Sequence, residues 1–137
     1  MVAHDDFLGW LKGQAILLRS GDLAELDAEH VAEALEDMAS EIRSRTQAAL
    51  RRAMVCLVRL ERSPEDERKA AWIEELLECE AVLLDRLGQS SSLEGELPEL
   101  LKASWNQARR SLAIMARIDE LPEDCPFSLD ALLDREA

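Results

Sequence analysis

The sequence predicts an all-α fold of four principal helices, and three observations carry that prediction. Every apolar pattern long enough to judge recurs at three- and four-residue steps, the period of an α-helix. Tyrosine is absent and β-branched residues are sparse, so strand-forming material is scarce. No run of alternating polar and apolar residues is bounded by turn signals, as a strand would be. The 137 residues match the usual size of one domain, and 47% of them are apolar, enough to bury a core. A single helical domain over 1–137 is expected, with flexible ends at 1–5 and 135–137.

The first helical pattern runs from about Asp6 to Ser20, with Phe7, Leu11, Ala15 and Leu18 on one stripe, Trp10 and Leu17 beside it, and a stop at Gly21. The second and longest starts from Asp27 as an N-cap and reaches Arg62. Its stripe is Val31, Leu35, Met38, Ile42, Ala49, Ala53, Cys56 and Leu60, interrupted only at Arg45 and Thr46. The small and polar stretch Ser40 to Ala49 would tolerate a bend, but no proline or glycine demands one. Ser63-Pro64-Glu65-Asp66 then reads as a helix start: serine to cap, proline for the first turn, acids toward the positive end of the dipole.

That third helix shows Trp72, Ile73, Leu76, Leu77, Leu83, Leu84 and Leu87 and ends at Gly88, before a loop from Gln89 to Ser92. Pro98 predicts a separate helical turn over Leu93 to Leu97 and a main fourth helix from about Pro98 to Ile118. Leu97, Leu101, Trp105, Ala108, Leu112 and Met115 form its seam. Leu121-Pro122 and Cys125-Pro126 break the helix, and Ser128 can cap a last short one through Leu133. Four stripes that cannot be hidden singly are expected to bury against one another around one core, as an antiparallel bundle.

Charge excludes several functions. Aspartate and glutamate number 29 against 16 lysines and arginines, so the net charge of −13 repels phosphate polymers, and nucleic acid is not an expected partner. Arg43, Arg45, Arg51 and Arg52 form a local basic run that must compete with that field, and they are expected to be paired or solvated. No apolar run approaches the length of a membrane span, and Met1 to Asp6 lacks the basic and apolar segments of a secretory signal. Cys56, Cys79 and Cys125 are odd in number and in no Cys-x-x-Cys pair, which suits free thiols in a reducing cytoplasm. Cys56 and Cys79 fall among apolar helical positions and are expected to be buried, as are Trp72 and Trp105.

No catalytic constellation is present: the only histidines are His4 and His30, and the 5 glycines form no phosphate loop or nucleophile elbow. The densest polar group is Asp27, Glu29, His30, Glu33, Glu36, Asp37 and Glu41, at spacings that align several of them along a helix. Carboxylates with an imidazole can bind a metal, but a di-iron bundle needs Glu-x-x-His on facing helices and no second such pair exists. No metal or other cofactor is implied, and acids at a helix N-terminus also suit its dipole.

Read in order, the residues resemble the bacterial domain of unknown function 29 family. Asp6, Trp10, Gln14-Ala15 and Leu18-Arg19 are similar to the family's opening, and Leu26-Asp27, His30-Val31 and Glu33 to Ala39 to its next block. Trp72, Ser92-Leu93 and Cys125-Pro126-Phe127 resemble its later landmarks. The chain departs from the pattern at Cys56 to Leu60, where the family has His-Leu-Leu-Lys-Trp, and at His30, which replaces an asparagine. The resemblance implies a helical fold and a bacterial source, offers no activity, substrate or cofactor, and points to Trp10, Gln14, Asp27, Glu33, Glu36 and Glu41 as pattern-matching positions.

Two functional expectations follow. In the first, Trp10, Gln14, Asp27, His30, Glu33, Glu36 and Glu41 belong to a surface that meets a protein partner, one with a basic face. In the alternative, Glu33, Glu36 and Glu41, with Asp27 or His30, line a ligand or metal cleft between the first two helices.

Overall fold

A computed structural model describes residues 6–133; the ends 1–5 and 135–137, expected to be flexible, lie outside the described residues. The fold class is all-α, with α1 over Phe7–Ser20, α2 over Ala28–Arg62, α3 over Lys69–Gln89, α4 over Leu93–Met115 and a short α5 over Leu129–Leu133. The second helix is the longest, 35 residues without interruption. Among the described residues no helix is long and apolar enough to cross a membrane.

The chain divides into two compact units, Met1–Glu41 and Ile42–Ala137, and α2 contributes to both. In the first, Asp6 caps α1 by accepting the Gly9 N–H at 2.9 Å, and Gly21 ends it in the left-handed conformation (φ 76°) that glycine adopts without cost. No α1 residue is buried, and Leu35 and Met38 on α2 are exposed as well. Each of two helices lying side by side covers one strip of its neighbour.

The second unit holds the core. Leu50, Ala53, Met54 and Cys56 of α2 meet Leu76, Cys79 and Leu83 of α3, Leu100, Trp105, Ala108 and Leu112 of α4, and Leu132 of α5. Arg59 stacks over Trp72 and the Cys56 thiol reaches Glu75, so α2 and α3 run antiparallel. Arg43 pairs with Glu96 and Ser104 bonds the Gln47 carbonyl, so α4 runs in the direction of α2. Thr46, read as an interruption, is fully buried: its hydroxyl donates to the Ile42 carbonyl at 2.8 Å, which satisfies its polarity within the helix.

Three boundaries differ from expectation. Ser63 to Asp66 forms turns, and α3 starts at Lys69 because the Asp66 carboxylate is taken by the Arg68 N–H and guanidinium at 2.8 to 3.0 Å. Pro98 lies inside α4 and does not divide it: Leu93 and Leu100 are buried on either side, and the proline removes a single ladder bond. The same helix stops at Met115, which is exposed, as are Ile73, Leu77 and Leu84 of the expected α3 face. Arg117 just beyond takes a left-handed backbone (φ 57°), while Ala116 and Ile118 both donate to the Leu112 carbonyl. Ser128 caps α5 as expected, accepting the Ala131 N–H at 3.1 Å.

Candidate functional site

The polar residues singled out at the start of α2 separate into two groups. The first is a clamp of Gln14, Asp27 and His30. Asp27 sits just before α2, and its carboxylate accepts the His30 backbone N–H at 3.4 Å, the bond an N-cap makes to the third residue of its helix. The backbone N–H of Asp27 donates to Gln14 Oε1 at 2.8 Å, which holds the start of α2 against the middle of α1. His30 Nδ1 lies 2.9 and 2.8 Å from the two carboxylate oxygens, so it carries the proton and donates.

The His30 hydrogen bond holds the Asp27 carboxyl below the usual carboxylate range. A lowered carboxyl pKa stabilises the folded state above the unfolded value of 3.8, and that contribution is lost as the pH falls through the lowered one. Every strong acceptor of this clamp is engaged within the protein, so its geometry serves the junction of the two helices.

Trp10 stacks on Phe7 with ring centroids 5.7 Å apart and an interplanar angle of 14°. It is half-buried, and its Nε1 is shut off from solvent without an acceptor among the described residues. The second group is Glu33, Glu36 and Glu41, all exposed. Among the described residues no three His, Cys, Asp or Glu side chains come together as metal ligands would. Glu29, Glu33, Glu36 and Asp37 make no ion pair among the described residues.

Two further arrangements were not legible in the sequence. Cys56 donates to Glu75 Oε2 at 3.2 Å, and Arg52 Nε approaches Glu75 Oε1 at 3.3 Å. Burial and then the Glu75 bond push the Cys56 thiol up to about 12, so it is protonated and inert, and burial raises Cys79 and Cys125 as well. All three are free thiols, with Cys56 and Cys79 buried as expected. The other arrangement is an open groove of about 1060 Å³ between α4 and the segment that follows it. Lys102, Arg109 and Arg110 edge one side and Asp119, Glu123 and Asp124 the other. Lys102 and Arg109 lie seven residues apart on one side of α4, but the opposite wall is a loop whose position no periodicity encodes.

With this geometry in place, comparison with known proteins is brief. The model of the family described as Domain of unknown function DUF29 matches residues 4–137, essentially the whole chain. No curated protein and no solved structure matches the sequence.

Proposed function

The chain belongs to the DUF29 family, and from that premise we propose that it is a protein-interaction module whose acidic helix face, at the start of α2, receives a basic partner. The observation that carries this reading is the unpaired row Glu29, Glu33, Glu36 and Asp37. Favourable interaction with the helix dipole fades within the first turn, so it accounts for Glu29 and not for the acids that follow. Glu29 with Glu33, and Glu33 with Asp37, are like charges four residues apart, an arrangement that opposes the helix by roughly 0.2–0.5 kcal/mol per pair. A row with a local cost and no ion-pair partner among the described residues is relieved by cations from outside. Residues 1–41 concentrate this charge, with ten acids against Lys12 and Arg19.

The test is a titration of the chain with a fluorescent lysine-rich helical peptide at low and raised salt, read by anisotropy. Binding that weakens with salt and falls about tenfold in a Glu33→Gln, Glu36→Gln, Asp37→Asn triple variant is expected. Equal affinity in the variant would refute the assignment of this face.

A further inference from the structure

We infer that the groove between α4 and the segment after it binds an extended peptide whose acidic and basic side chains alternate. Lys102, Arg109 and Arg110 line the α4 wall, and Asp119, Glu123 and Asp124 line the wall opposite. None of these six makes an ion pair among the described residues. Arg109 is half-buried, so a carboxylate brought to it is screened less by water than one at an open surface. Leu101, Leu121 and Phe127, also half-buried, add apolar surface to the lining.

Dimensions and charge together select that occupant. The lining on α4 extends from Pro98 to Ala113, about 22 Å at 1.5 Å per residue. Spread over that length, the 1060 Å³ of the groove leaves a cross-section of about 50 Å². An extended chain occupies about 5 by 10 Å in section, which matches, whereas a helix with its side chains needs roughly 80–110 Å². Because the walls carry opposite signs, a uniformly basic or uniformly acidic ligand is drawn to one and repelled by the other. A small zwitterion satisfies both signs but fills only a fraction of the space. Successive side chains of an extended chain point to opposite sides, so alternation sends carboxylates toward α4 and cations toward the other wall. That wall has the same period itself, since Asp119, Leu121, Glu123, Cys125 and Phe127 line the groove as every second residue. Asn106, between the α4 cations, offers an amide donor and acceptor to the peptide main chain.

This inference stands apart from the acidic-face reading, because the groove lies wholly within the second unit. The probe is a fluorescein-labelled hexapeptide of alternating glutamate and lysine, whose length matches the groove, titrated with the full chain and read by anisotropy. Saturable binding with a Kd below about 1 mM is expected. A hexapeptide of three glutamates followed by three lysines has the same composition but cannot give each wall one sign, and it should bind roughly tenfold more weakly. All-lysine and all-glutamate hexapeptides should be weaker by a similar factor. Arg109→Gln and, independently, Glu123→Gln should each weaken the alternating peptide about five- to tenfold. Unchanged circular dichroism together with protected Cys56 would show that both variants fold. The acid-to-amide triple variant of α2 should leave this binding in place. Absence of saturation, equal binding of the block or all-lysine peptide, indifference to both single variants, or loss in the α2 triple variant would overturn the inference.

Discussion

Replacing Cys56 by alanine should flatten the loss of stability that this protein suffers in alkali. The thiol is 1% exposed, donates to Glu75, and is pushed up to about 12 by burial first and the carboxylate second. In the unfolded chain it ionises near its ordinary 9.0. Below that pH both states hold the proton and stability does not depend on it; above, only the unfolded state releases it, so stability falls as pH rises toward 12. One withheld proton corresponds to about 1.4 kcal/mol per pH unit, or roughly 2–3 kcal/mol between pH 9 and 11. The background is low, because the chain has no tyrosine and its only lysines are Lys12, Lys69 and Lys102. Cys79 and Cys125 are raised in the same direction and should leave a residual slope in the variant. Urea midpoints measured from pH 8 to 11 test this: wild type and Cys56→Ala should diverge above pH 9, and parallel curves would refute the reasoning.

Two further perturbations follow from single features of the structure. Arg117→Gly should stabilise the protein by about 0.5–1 kcal/mol, since its left-handed backbone suits glycine, and thermal unfolding should show a rise of a few degrees. Trp105→Phe removes the Nε1–H bond to the Pro122 carbonyl (2.9 Å) and part of the edge-on contact with Phe127, and should cost about 1–3 kcal/mol in urea unfolding. Trp10→Phe removes a donor that has no acceptor among the described residues and should stay within about 1 kcal/mol of wild type by the same measurement.

The helices were readable because their causes are local. Asp6, Gly21, Asp27 and Ser128 terminate or start helices through bonds spanning three to five residues, and each does so where expected. Ser63 to Asp66 misled because a cap competes with other local bonds, and Arg68 takes the Asp66 carboxylate first. Pro98 misled for the opposite reason, since burial of Leu93 and Leu100 outweighs the missing bond. Of the candidate site, the residue types at the start of α2 were legible, but their roles were not. Gln14 and Asp27 are thirteen positions apart, and nothing in either helical period announces that they meet.

By itself the sequence determined the all-α class, the number of helices, the long α2 and the short α5, because period, caps and breakers act over a few residues. It also determined where the acids accumulate, which is a matter of composition along the chain. Only the tertiary structure decided which stripes are used. Cys56, Trp72 and Trp105 enter a core while the equally periodic Phe7, Leu18, Leu35 and Met38 remain open. Amphipathic period states that a helix has an apolar side; whether that side is covered depends on how many other helices reach it, which is a property of the assembled chain.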